Sequence, residues 1–275
     1  MKKIVAGIAV GFAIFTFMAA YTSGLFFDGD FYRFHILLYA VTFAAIMYLM
    51  IQKKAVFPSG IWLPFIMCLV YILPLWLSAA SIKGTMEQIM RWTSYGCFLL
   101  LIYHYARERL RRQFLHYAFQ GIGLLIVFAA FGGLYGLIDF KDIVQYMKDE
   151  RLSILGLRLA GFFQYANTFA VVIAAFLLYH LMVLIKESGK TSRNGALQNG
   201  VSLAFAAFPL VAYGTALLLT ESRGAWLMLG VAWVLGLFLI KWRQQVDYIL
   251  LSIVTGAASL LVYRNLVSEL RGTET

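Results

Sequence analysis

The chain has 275 residues, 62% of them hydrophobic and 16% aromatic, with a formal net charge of +10. A mean hydropathy of +0.79 excludes a soluble globular domain. No basic run is interleaved with aromatics in the manner of a single-strand binding surface, so the charge does not point to nucleic acid.

Apolar runs of about 17 to 25 residues recur along the chain, the length at which a helix spans a bilayer. They are too long and too uniformly apolar for the alternating strands of a membrane barrel. Ile4–Thr22, preceded by Lys2 and Lys3, is the first predicted span. It has the outline of a signal sequence, with a poor cleavage region at Met18-Ala19-Ala20, and is read as a retained helix. Asp28, Asp30 and Arg33 then form an outer loop, and Phe34–Ile51 returns to Lys53 and Lys54. Ile61–Ala80 crosses again, with bends expected at Pro64 and Pro74. Cys68 and Cys97 both fall in apolar runs and read as packing residues, not as a disulfide or metal pair. Thr85-Met86-Glu87-Gln88 is a capping-box pattern, predicted to start a fourth helix that runs to about Tyr105.

Phe114–Ile138 is the fifth span. Its Gly132 and Gly136, like Gly7 and Gly11 in the first, have the small-xxx-small spacing of close helix contacts. In Asp139–Leu157, Phe140, Ile143, Val144 and Met147 fall at i, i+3, i+4 and i+7. That spacing predicts a short amphipathic helix on the membrane surface, capped by Asp139, with a plain loop as the alternative. Leu159–Ile185 is the sixth span, approached through Arg158, and Lys186–Gly200 reads as a flexible loop. Val201–Leu219, Ala225–Ile240 and Val246–Val262 complete nine spans, followed by a polar tail. The expected fold is an all-α, polytopic transmembrane bundle in a single domain.

Lys and Arg bias sets the orientation. With the N-terminus cytoplasmic, the inner segments hold Lys2, Lys3, Lys53, Lys54, the Arg107–Arg112 cluster, Lys186, Lys190, Arg193, Lys241 and Arg243. The whole formal charge of +10 then falls on that side. Arg158, Arg223 and the C-terminus fall together on the outer side.

The four histidines, His35, His104, His116 and His180, are scattered, with no second metal ligand at helical spacing. Neither a Walker loop nor a dinucleotide glycine pattern is present. What remains is a set of polar residues at the outer ends of spans six to eight. On a helix, Arg158, Gln164 and Asn167 would share a face. Buried amides in lipid need partners, and plain interhelical bonding is the simpler reading of Gln164 and Asn167. Glu221, Ser222 and Arg223 separate two uncharged apolar runs. Ser222 is predicted to cap a helix beginning at Gly224 or Ala225. A cation beside a helix N-terminus is unfavourable unless an anion joins them, and the three together form a phosphate site. The other reading is an Arg that snorkels to lipid headgroups. Two guanidiniums on one membrane face, each beside a helix start, fit a pyrophosphate.

Two segments carry a resemblance. Arg158-Leu-Ala-Gly-Phe-Phe-Gln164-Tyr-Ala-Asn167 is followed by Thr220-Glu221-Ser222-Arg223-Gly224. Together they resemble the Arg-x-x-Gly-x-x-x-x-x-Asn and Thr-x-Ser-Arg-Gly signature of the O-antigen ligase and polymerase family of membrane glycosyltransferases. The resemblance covers about Leu152–Ile240. It implies transfer of a glycan from undecaprenyl pyrophosphate to a lipid, protein or growing glycan on the outer face of the inner membrane, without metal or cofactor. Arg158 and Arg223 would hold the pyrophosphate and stabilise the leaving group. Gln164, Asn167, Glu221, Ser222 and Gly224 would shape the pocket. The family's large outer loop, with a His thought to act as base, would begin where this chain stops at Thr275. The expectation is therefore an N-terminal portion that binds donor lipid without turnover. A transporter or flippase for an anionic lipid-linked substrate is the alternative reading of the same Arg pair, and a scaffold with snorkelling Arg is the third.

Overall fold

The computed structural model describes residues 2–25, 28–77, 81–140, 142–147, 153, 155–191 and 200–272. Among these residues the chain forms nine α-helices and one antiparallel hairpin. The helices are α1 (Lys2–Tyr21), α2 (Asp28–Ile51), α3 (Trp62–Leu77), α4 (Ile82–Tyr105), α5 (Arg109–Leu134), α6 (Ala166–Thr191), α7 (Gly200–Leu219), α8 (Arg223–Leu239) and α9 (Trp242–Gly272). The hairpin strands are β1 (Val144–Tyr146) and β2 (Leu157–Leu159). Five segments are long and apolar enough to cross a membrane: Asp28–Ile51, Ser59–Trp76, Arg109–Leu134, Ala166–Lys186 and Trp242–Leu270. Val10–Tyr21, Ala207–Leu219 and Arg223–Leu239 are apolar but shorter. Helix is what such segments must form in lipid, where each backbone N–H and C=O needs a partner within the segment.

Several boundaries differ from the sequence expectation, each for a local reason. Helix α2 begins at Asp28, so Asp28 and Asp30 sit in its first turn, where carboxylates complement the helix dipole. Helix α4 is capped by Ser81, whose hydroxyl accepts from the Gly84 N–H at 3.1 Å, and the capping-box Thr85 lies inside the helix. Gly132 and Gly136 do not form a helix-contact stripe. Gly136 has a φ of 68° beyond the end of α5, and the Gly132 carbonyl accepts from Leu137 N at 2.7 Å, so the pair closes the helix C-terminus. The surroundings of the Gly7 side of the other pair lie outside the described residues, and Gly11 has open space beside it. Pro74 is accommodated inside α3. The polar tail continues α9 as helix to Gly272. Residues 192–199, within the expected flexible loop, lie outside the described residues.

The chain divides into two compact units. In the first, residues 1–15 and 25–118, α3 packs along α4 and α4 packs on α2. The contact is close where Gly96 faces the Phe65 ring. Interhelical hydrogen bonds join it: Tyr39 Oη donates to the Met90 carbonyl at 2.7 Å, and Ser94 Oγ donates to Tyr39 Oη at 3.2 Å. Cys68 and Cys97 are free thiols, and the buried Cys68 Sγ lies 3.3 Å from Thr93 Oγ1.

In the second unit, residues 16–24 and 119–275, α6 is central: α7, α8 and α9 all pack on it, and α7 also packs on α9. Phe169, Ile173, Leu210, Tyr213 and Leu219 are fully buried. Between apolar helices in lipid the cohesion comes from close packing and from hydrogen bonds, not from water exclusion. The α7–α9 contact uses both. Gly214 leaves room for the Ser259 side chain, Ser259 Oγ donates to the Val211 carbonyl at 3.3 Å, and Thr215 Oγ1 donates to the Ser259 carbonyl at 3.4 Å. A Cβ at Gly214 would collide with Ser259, so Gly214→Val should destabilise by about 1–3 kcal/mol through overpacking. Thermal unfolding in detergent, compared with Gly224→Ala where space is open, checks this; equal melting for the two variants would contradict it.

Candidate functional site

The segment that approaches α6 is a hairpin, not the amphipathic helix expected over Asp139–Leu157, and not the start of the sixth span. Its strands pair Val144 with Leu159, Gln145 with Arg158 and Tyr146 with Leu157. The alternation of a strand puts Leu157 and Leu159 on the buried side and Arg158 on the other. Ile143, also buried, lies against Gly133 at the end of α5, and its carbonyl accepts from Ala160 N at 2.9 Å and Gly161 N at 3.0 Å. Gly161 has a φ of 56°, and a Cβ there would meet the Phe169 ring at 2.9 Å, so both conformation and space require glycine. Phe162 and Phe163 follow as a buried 3-10 turn. The end of α1 packs on this turn: Phe17, Tyr21 and Phe140 lie around the Phe162 ring at centroid distances of 5.7, 5.5 and 5.1 Å.

Gln164 closes the turn in the left-handed region, at φ 55°, and α6 begins at Ala166. Arg158, Gln164 and Asn167 therefore do not share a helix face. The β-hairpin brings the groups together instead. Arg158 Nη2 donates to Asn167 Oδ1 at 2.7 Å, and Arg158 Nε donates to the Thr220 carbonyl at 2.8 Å. One guanidinium thus ties the hairpin to the start of α6 and to the turn between α7 and α8, across 62 residues of sequence. Both acceptors are neutral oxygens, and among the described residues no carboxylate forms an ion pair with Arg158. Asn167 Nδ2 reaches the Tyr165 hydroxyl at 3.3 Å, which fixes the direction of its amide.

The α7–α8 turn is held by its own side chains. Thr220 is fully buried; its hydroxyl donates to the Leu217 carbonyl at 2.7 Å and accepts from Ser222 N at 3.3 Å. Glu221 is half-buried at a φ of 48°, a left-handed conformation that costs a non-glycine residue about 1–3 kcal/mol. Ser222 is the N-cap of α8, its hydroxyl accepting from Ala225 N at 3.4 Å. Arg223 and Gly224 occupy the exposed first turn of α8. The Trp226 indole N–H donates to the Leu217 carbonyl at 3.3 Å and pins α8 to the end of α7.

Of the residues singled out in the sequence, Arg158 and Asn167 are in direct contact, and Arg158 alone ties them to the turn that carries Glu221, Ser222, Arg223 and Gly224. Gln164 enters through its backbone: its carbonyl accepts from Gln145 Nε2 at 2.9 Å. Gln145 Oε1 also accepts from Ala166 N at 3.4 Å, at the first residue of α6. Gln145 is thus a site residue that sequence reasoning did not pick out, and Thr220, named there only within the Thr-x-Ser-Arg-Gly signature, gains a role through its carbonyl. For Gln145 the available signal was the alternation around Val144-Gln145-Tyr146 and Leu157-Arg158-Leu159, with a glycine, Gly156, between them.

Fold and site define the class: a helical membrane protein in which one arginine, Arg158, joins a hairpin to the start of α6 and to the α7–α8 turn. Comparison of the chain with protein-family models, with curated proteins and with solved structures finds no match.

Removing the Arg158 guanidinium leaves the Thr220 carbonyl and Asn167 Oδ1 without that donor. Arg158→Ala should therefore cost about 1.5–3 kcal/mol in stability, the range for hydrogen bonds to a charged group. Arg158→Lys should recover only part of it, since an ammonium lacks the planar fork that reaches two acceptors. Thermal unfolding of the three proteins in one detergent checks this; full recovery by Lys would contradict the two-acceptor role.

Proposed function

We propose that the protein is a glycosyltransferase-like component of cell-envelope polysaccharide assembly that binds a glycan donor linked to undecaprenyl pyrophosphate. In this reading all nine helices cross the inner (plasma) membrane, with the N-terminus cytoplasmic and the C-terminus outside. Arg158, Asn167 and the Thr220–Gly224 turn then face the outside. The whole excess of positive charge lies on the opposite side, as the positive-inside rule requires. Acceptors are a lipid, a protein or a growing glycan.

The single observation that carries the reading is the pair of hydrogen bonds from Arg158 to Thr220 and Asn167. Among the described residues the Arg158 guanidinium meets neutral oxygens alone, which keeps its positive charge available, whereas pairing with a carboxylate would not. It is preorganised by acceptors on two elements, and a cation in or near lipid is retained where it has a partner or a task. Arg223 adds a second guanidinium on the adjacent first turn, where Ser222 caps α8 and the helix dipole favours an anion. A diphosphate supplies two negatively charged groups, each suited to a guanidinium fork. In a transfer step the charge that develops on the departing diphosphate is what such fixed donors stabilise. No step here uses a metal or cofactor; Gln164, Glu221, Ser222 and Gly224 shape the pocket around the diphosphate.

The test is photocrosslinking of an undecaprenyl-pyrophosphate analogue to purified protein in lipid nanodiscs. Arg158→Ala and Arg223→Ala should each lower labelling at least about tenfold, the equivalent of one charge-assisted hydrogen bond. Labelling of both variants at the wild-type level would sink the reading.

A further inference from the structure

We infer that a cavity beside α8 seats the headgroup-proximal isoprene units of a polyprenyl diphosphate. The inference rests on the diphosphate reading above and adds where the hydrocarbon chain of that ligand runs.

The cavity has a volume of about 500 Å³ and is bounded by α6, α7, α8 and α9 within the second unit. That is within the size range of small-molecule sites. It forms because α8 packs chiefly on α6 and leaves α7 after the Ser222 turn. Leu177, Leu210 and Leu217 supply apolar walls. Two of the hydroxyls that line it, those of Ser252 and Ser259, are turned to the protein. Ser259 Oγ donates to the Val211 carbonyl, and Ser252 Oγ donates to the Tyr248 carbonyl at 2.6 Å while accepting from the Trp233 indole at 2.9 Å. A polar ligand would find few free partners; a hydrocarbon chain needs none.

Three further features select the occupant. Trp226 lines the cavity only three residues after Arg223, so the apolar space begins within one turn of the proposed headgroup position. Its indole N–H is engaged by Leu217, which leaves the ring as apolar wall. Gly230 on α8 and Gly256 on α9 are both exposed and both line the cavity, and a Cβ at either would meet no atom within 4 Å. These two notches make a side opening toward the surrounding lipid. A cavity of this size suits one chain, as a polyprenyl lipid has, in place of the two of a diacyl phospholipid.

Binding of two probes to the full chain in phosphatidylcholine nanodiscs tests this: a long-chain polyprenyl diphosphate and its single-isoprene counterpart. Gly230→Leu with Gly256→Leu places side chains in the opening, and both changes favour helix. The double variant should lose at least about tenfold in affinity for the long probe, the effect of displacing a few methylenes, and none for the short one. Val254→Trp, on an exposed position of α9 outside the cavity, should change neither. Unchanged long-probe affinity in the double variant overturns the proposal, as does an equal loss for both probes. Equal affinity of the wild type for the two probes also overturns it, because bulk lipid then fills the cavity. Arg158→Ala separates the two readings. If it weakens both probes while the glycine variant weakens neither, the headgroup assignment stands and the cavity assignment falls. If it has no effect while the glycine variant selectively weakens the long probe, the cavity assignment stands and the headgroup assignment falls.

Discussion

The candidate site depends on one guanidinium that, among the described residues, is held by uncharged oxygens. Arg158 projects from a strand too short to be stable alone, and its two donors meet the Thr220 carbonyl and the Asn167 amide. A carboxylate in place of either acceptor would hold the side chain more firmly and cancel its charge. With neutral acceptors the side chain is placed by geometry while its electrostatic field remains. That distinction separates a cation that serves packing from one that can attract an anion.

The surroundings keep that geometry at a cost. Gln164 and Glu221 are both non-glycine residues with positive φ, one in each of the two segments that Arg158 joins. Such conformations persist when neighbours over-determine them. Here the neighbours are identifiable: Gln145 grips the Gln164 carbonyl, and the Thr220 and Ser222 hydroxyls hold the backbone on either side of Glu221. The aromatic set of Phe17, Tyr21, Phe140 and Phe162 supports the 3-10 turn after β2 from the side of α1. Strain and support are concentrated in the same few residues that carry the charge.

Much of the helical architecture was legible because lipid leaves a long apolar run little choice but helix. The Ser222 cap was legible for a related reason: a short polar break between two apolar runs must satisfy the N–H groups of the helix that follows. The hairpin was not. Phe140, Ile143, Val144 and Met147 fit a helical stripe, and the competing two-residue alternation is only three residues long in each strand. Gly156 and Gly161, both at positive φ, decide the matter in the structure, but a glycine in a sequence does not announce the sign of its φ. Misplacing the start of α6 followed directly. Arg158 and Asn167 still meet, through a strand partner and a cap-like approach instead of a common helix face. Gln145 was hidden by the same error, since on a surface helix it would have pointed to solvent.

The most direct measurement of the central claim is amide hydrogen exchange on wild type and Arg158→Ala in the same nanodiscs. If one guanidinium couples the hairpin to the α7–α8 turn, the substitution should speed exchange at residues 217–223 as well as at 143–147 and 157–161, while the middle of α9 is unaffected. Faster exchange confined to the hairpin, with the turn exchanging at the wild-type rate, would contradict the account.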